Sequence, residues 1–181
     1  MKRSLLLLFL VSGVVVALDY GSKQWVMANL SYQNPVEILG EYVRFTYTRN
    51  SGVAFGLGAG TRFPYYVFSI IAAIAILYMF VRVQVTSRLR QWALALIFGG
   101  AIGNLIDRVR WGEVVDFIEI GIPTWHWPVF NVADSAVSVG VVLFALTWHR
   151  HAPAGDAAAT SPQPATDAEP THSGSIRPGV E

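Results

Sequence analysis

Two aspartates draw attention through their neighbours. Asp116 follows two valines and precedes Phe117 and Ile118, and Asp134 ends the run Phe130-Asn131-Val132-Ala133 where an apolar stretch begins. Two carboxyls held together share a proton, because like charges a short distance apart raise the pKa of one of them. Such a pair offers a base and an acid at neutral pH and can activate a water. Other hydrolytic chemistries are thinned out by residue type. There is no cysteine, which removes thiolate nucleophiles and cysteine-ligated metals. The histidines (His126, His149, His151 and His172) have no metal-ligand spacing, and no Gly-x-Ser-x-Gly elbow is present. Each aspartate alone also has a structural reading, Asp134 as a carboxylate favoured by the free amides of a helix N-terminus. Spacing alone does not bring the two together.

Other polar residues stand where polarity is costly. Asp19 and Lys23 share a helical face at i,i+4, fit for an interfacial ion pair or for orienting a site. Asn50-Ser51-Gly52-Val53-Ala54-Phe55-Gly56 places an amide, a hydroxyl and two glycines before an apolar helix. There Asn50 either caps a turn or hydrogen-bonds a substrate or catalytic side chain. In Gly99-Gly100-Ala101-Ile102-Gly103-Asn104-Leu105-Ile106-Asp107-Arg108, Gly99 and Gly103 form a small-xxx-small pair suited to close helix packing. Asn104, Asp107 and Arg108 crowd the outer end of that stretch, with Asp107 and Arg108 read together as a structural brace.

These residues must be positioned by membrane helices. Of 181 residues 53% are hydrophobic and only 14% charged, too few to cover a soluble surface. Four apolar stretches run over about 4–18 (extending as helix to about Trp25), 63–83, 92–106 and 132–148, the third and fourth short for a bilayer. The first reads as an anchored helix, since its best cleavage candidate, Val15-Val16-Ala17, is poor. Lys2, Arg3, Arg82, Arg88, Arg90 and Arg150 fall on one side with no acidic residue, which places both termini in the cytoplasm. In the outer loops Val43–Thr48 and Glu113–Ile120 have strand character. The stretch 152–181 is polar and proline-rich and reads as a disordered cytoplasmic tail after a domain spanning 1–151. The net charge of +1 and the lack of a lysine-rich run give no sign of nucleic-acid binding. On these residues alone, a small transporter subunit or a scaffold with a buried polar network competes with a membrane hydrolase.

Five blocks occur in series: Leu18-Asp19-x-x-Ser22-Lys23, the Asn50 to Gly56 segment, the Gly99 to Arg108 segment, Val114-Val115-Asp116-Phe117 and Phe130-Asn131-x-Ala133-Asp134. Together they resemble the signature of lipoprotein signal peptidase (signal peptidase II), a bacterial inner-membrane aspartic peptidase. The resemblance covers about residues 5–148. It implies a mostly α membrane protein with four transmembrane helices and a small periplasmic β-cradle, here about 36–58. It also implies cleavage of diacylglyceryl-modified prolipoproteins before the lipidated cysteine, at the periplasmic face, by a monomer without metal or cofactor. Asp116 and Asp134 match the catalytic aspartates. Asn50, Gly52, Asn104, Arg108, Asn131 and Ala133 lie in the surrounding blocks, and Asp19, Lys23 and Asp107 match positions read as mainly structural.

Overall fold

The computed structural model describes residues 2–51, 66–82 and 87–148. Its elements are α1 (Lys2–Asn29), β1 (Val36–Leu39), β2 (Val43–Asn50), α2 (Tyr66–Arg82), α3 (Arg88–Trp111), β3 (Val114–Ile122), β4 (Trp125–His126) and α4 (Val132–Trp148). The protein is thus mostly helical, with one small sheet. Gly52, the segment 52–58 and the tail at 152–181 lie outside the described residues.

Among the described residues two helices, Arg3–Asn29 and Arg88–Trp111, are long and apolar enough to cross a membrane, while Ser69–Val81 and Val132–Thr147 are shorter apolar helices. Leu6, Phe9, Leu10, Val14 and Leu18 on α1 are each more than half exposed. A helix that presents large aliphatics outward in this way is suited to lipid. Central α3 packs against α1, α2 and α4. A Cβ at Gly99 would lie 2.8 Å from Val15 Cβ, and one at Gly103 would lie 2.7 Å from Asp19 Oδ2. The small-xxx-small pair is therefore the surface on which α1 and α3 meet. Beyond Trp111, Gly112 takes a left-handed φ of 75° and its N–H closes on the Arg108 carbonyl, so the chain turns directly into β3.

The sheet has the order β1-β2-β3-β4, each pair antiparallel. It draws on both loops expected to carry strands, so the β element extends past the expected 36–58 limit into 114–126. Register shifts interrupt β1 between Glu37 and Leu39 and β2 between Phe45 and Thr48, leaving Thr48 opposite Asp116 and Asn50 opposite Val114. Asn50 accordingly ends a strand, and any turn it would cap lies outside the described residues. Beside the second irregularity Arg44 and Thr46 both donate to the Glu119 carboxylate. Burial pushes that carboxyl up, but the Arg44 and Thr46 hydrogen bonds outweigh it and hold it below its ordinary value.

Two apolar cores result. Leu8, Ile76, Phe80, Leu94 and Ala95 fill one inside the bundle, and Val26, Tyr47, Val115 and Phe117 fill another where the sheet meets the helices. Along α1 the polar pair Asp19 and Lys23 falls between them. The third helix is longer than its apolar run, so Asn104 and Asp107 lie buried within α3 and Arg108 half-buried beside them. This extension is possible because partners on other elements satisfy those side chains, as follows.

Candidate active site

Asp19, Lys23, Asn104, Asp107, Asp116 and Asn131 are all buried, and they form one hydrogen-bonded system. Its base is Lys23 on α1, whose ammonium lies 2.7 Å from Asp19 Oδ2 and 2.7 Å from Asp107 Oδ2. A third N–H reaches Asn104 Oδ1 at 3.3 Å. Lys23 is wholly buried and Asp19 is 1% exposed, so the i,i+4 ion pair forms part of an interior charge cluster, nearer to the site-orienting of its two sequence readings than to the interfacial one. Asp107 Oδ2 also accepts the N–H of Val115 at 3.2 Å, tying α3 to β3.

The N-terminus of α4 is built from two sides. Asn131 Oδ1 accepts the N–H of Asp134 at 2.8 Å, as an N-cap residue does for the third residue of its helix. Asp19 Oδ1, arriving from α1, accepts the N–H of Ala133 at 2.9 Å. The second and third amides of the helix are thereby satisfied, and Ala133 is packed with no exposure.

These caps aim the two aspartates. Asn131 Nδ2 donates to Asp116 Oδ1 at 2.7 Å, and more weakly to Val115 O and Asn104 Oδ1, each at 3.2 Å. Asn104 Nδ2 donates to Asp134 Oδ1 at 2.7 Å. The Asn50 side chain adds a further hydrogen bond to Asp116 from the end of β2. Asp134 therefore has one oxygen held as an acceptor by Asn104, while Asp116 accepts from both Asn131 and Asn50, and each carboxyl keeps lone pairs for a proton or a water. Asp116 is 2% exposed, whereas Asp134 is only partly buried. Burial, and next the negative charge of Asp134, raise the Asp116 carboxyl to about 7; the hydrogen bonds from Asn50 and Asn131 and the charge of Lys23 oppose this rise. Two carboxyls that sense each other, one of them half-protonated near neutrality, can take and give a proton in the same cycle.

Arg108 also reaches this region. Its guanidinium senses the charges of Asp134, Asp116 and Asp107. One of its nitrogens donates to Ser69 Oγ on α2 at 3.3 Å and to the Asn104 carbonyl at 3.4 Å, while its Nε is buried without a partner among the described residues. Successive residues on a helix point about 100° apart, so Arg108 and Asp107 tie α3 to different neighbours, Arg108 to α2 and Asp107 to α1 and β3. Ser69 was not singled out from sequence; its only signal there is a hydroxyl in an otherwise apolar helix. Among the described residues no three of His, Asp and Glu are placed to hold a metal ion.

Known proteins are similar to this one in sequence and in fold. The family profile described as Signal peptidase (SPase) II matches residues 11–150. The chain is 41% identical over 147 residues to a lipoprotein signal peptidase of Desulforapulum autotrophicum, covering 78% of this chain and 91% of that protein. It is 40% identical over 153 residues to that of Geobacter metallireducens, covering 83% and 94%. A bacterial membrane enzyme solved by the in meso method at 2.3 Å superposes with a TM-score of 0.73 at 33% identity, over 83% of this chain and 89% of that one. A second such structure, at 1.9 Å, gives a TM-score of 0.72 at 32% identity, over 83% and 95%. A profile match across most of the chain, relatives covered almost end to end and a shared fold agree: the chain belongs to the signal peptidase II family of membrane peptidases.

Proposed function

We propose that this protein is an aspartic endopeptidase that removes the signal peptide of diacylglyceryl-modified prolipoproteins before the lipidated cysteine. The observation that carries the reading is the pairing of Asp116 and Asp134, each held on one oxygen by a buried asparagine. The deeper Asp116 holds the shared proton and the more accessible Asp134 is the base. Asp134 takes a proton from a water, whose oxygen attacks the scissile carbonyl carbon, while Asp116 donates its proton to the carbonyl oxygen. The resulting gem-diol collapses as its C–N bond breaks. The proton gained by Asp134 passes to the leaving amine, and a gem-diol hydroxyl returns one to Asp116. No covalent intermediate forms, and the asparagines orient the carboxyls without adding charge to a dry site. Asn50 and Arg108 sit on the substrate side in this reading, and Asn104, Asn131 and Ala133 hold the pair.

In the same reading all four helices span the bacterial inner membrane with both termini cytoplasmic, and the sheet forms a periplasmic cradle over the site. The catalytic domain is 1–151, and the enzyme acts as a monomer. The acyl chains of the substrate remain in lipid, so cleavage at the membrane surface fits a site near the outer helix ends.

The test is a gel-shift assay with purified protein in micelles, using diacylglyceryl-modified prolipoprotein beside its unmodified precursor. Cleavage of the modified form alone is expected. An uncut modified substrate sinks the proposal. A second expectation concerns pH. The proton that defines the active pair leaves as pH rises through about 7, the value to which Asp116 is raised. A plot of kcat/KM, which reports the free enzyme, should therefore fall on its alkaline side with a midpoint near neutrality. A rate that stays flat from weakly acidic to strongly alkaline buffer contradicts proton sharing.

A further inference from the structure

Lys23 is the largest wholly buried side chain among the described residues, yet it takes part in no proton transfer of the scheme above. Its three N–H groups meet three acceptors, Asp19 Oδ2 and Asp107 Oδ2 at 2.7 Å and Asn104 Oδ1 at 3.3 Å. The two carboxylates have further partners in the Ala133 and Val115 amides. The third contact does something else: it sets the orientation of an amide. An ammonium only donates, so Asn104 must turn its oxygen toward Lys23 and its Nδ2 away from it. That Nδ2 lies 2.7 Å from Asp134 Oδ1. Asn131 supports the same orientation only through a long contact of 3.2 Å, since its amide is shared with Asp116 and Val115.

We propose that Lys23 is a positioning residue for the Asp116–Asp134 pair and acts through the side-chain amide of Asn104. Without the ammonium the amide is free to invert. Its oxygen then opposes Asp134 Oδ1, acceptor against acceptor. The carboxylate either swings away or draws the shared proton onto that oxygen, which points away from the attacking water. The charged groups that bear on the cluster are Asp19 on α1, Asp107 and Arg108 on α3, Asp116 on β3 and Asp134 on α4. The assignment rests on the aspartyl reading of the site.

Lys23→Met alone strands two buried carboxylates and is expected to compromise folding. The experiment therefore uses Asp19→Asn/Lys23→Met/Asp107→Asn, in which the introduced amides keep an oxygen for the Ala133 and Val115 N–H groups. Wild type, this triple variant, Asn104→Ala and their combination form a double-mutant cycle read by kcat and KM on the diacylglyceryl-modified precursor, with folding checked by thermal unfolding. The triple variant should lose about 10- to 100-fold in kcat, the range seen when outer partners of a site are removed, with KM little changed. The combination should come close to Asn104→Ala: the introduced amides keep the Ala133 and Val115 contacts, and the direct charge of Lys23 is the smallest influence on Asp116, which leaves the Asn104 amide as the main route to the pair. Losses that multiply, or an unchanged kcat in the folded triple variant, overturn the proposal. If the triple variant does not fold, Lys23→Met/Asp107→Asn enters the same cycle, leaving Asp19 charged but bonded to Ala133, and the same results decide. Should Asp116→Asn and Asp134→Asn abolish turnover while the cycle is multiplicative, only the Lys23 assignment falls. Turnover retained in those two removes the aspartyl reading itself.

Discussion

Asp116→Asn and Asp134→Asn should each lower kcat by at least about 10⁴-fold, the scale on which members of a catalytic unit act, while leaving a folded protein. An amide of the same shape accepts the same hydrogen bond from Asn131 or Asn104, so the scaffold survives. It cannot take a proton from water or return one. The measurement is single-turnover cleavage of the modified precursor, with an unfolding curve for each variant in the same detergent. Near-normal turnover in either folded variant removes that residue from the chemistry. Stability gives a second reading for Asp116. Its folded-state carboxyl is raised from 3.8 to about 7, so folding favours the protonated form. That contribution is fully present below about pH 4 and is lost as pH rises through about 7, amounting to about 4 kcal/mol at most, since each pKa unit corresponds to about 1.4 kcal/mol and part of the shift belongs to the coupled pair. The Asp116→Asn protein carries no such ionisation. Its Tm relative to wild type should therefore climb between pH 4 and pH 8, even as its activity vanishes. A site that sacrifices stability for chemistry behaves in this way.

How much of this site could be read in the chain depends on how local each determinant is. The bounds of α4 follow its apolar run, 132–148, because Asn131 caps it and no interior charge other than Asp134 interrupts it. By contrast, α1 and α3 outrun their apolar stretches. Their polar turns are satisfied by one another, and that exchange between Lys23, Asn104 and Asp107 is invisible in either segment alone. The i,i+4 spacing made Asp19 and Lys23 a pair, but only the Asp107 contact makes them an interior one. β2 and β3 announced themselves through β-branched and aromatic residues. The two-residue β4 and the bulged β1 exist only because β3 and β2 offer edges, so no local pattern marks them. The five blocks named the site residues through resemblance. Their geometry, with Asn104 serving Asp134 and Asn131 serving Asp116, had to come from the fold.

Gly100→Ala should harm both stability and rate, against the ordinary preference for alanine in a helix. Propensity alone predicts a gain approaching 1 kcal/mol. Here the new methyl would meet the Ala133 carbonyl oxygen and approach Val137 Cγ2 to 2.6 Å. The carbonyl is backbone and cannot rotate aside, so α4 must move off α3. Ala133 and Asp134 sit in that first turn, one bonded to Asp19 and the other to Asn104. A displacement large enough to clear the methyl therefore moves Asp134 against the asparagine that aims it. Overpacking of this kind costs about 1–3 kcal/mol, and a misplacement near 1 Å at a catalytic group costs about 100-fold in rate. The expected result is a lower Tm together with a kcat loss of that order and a smaller change in KM. Gly13→Ala supplies the control, since a Cβ there meets nothing within 4 Å and the helix should gain or stay level. If Gly100→Ala instead behaves like the Gly13 change, with Tm and kcat preserved, then close contact between α3 and the start of α4 is not what holds Asp134 in register.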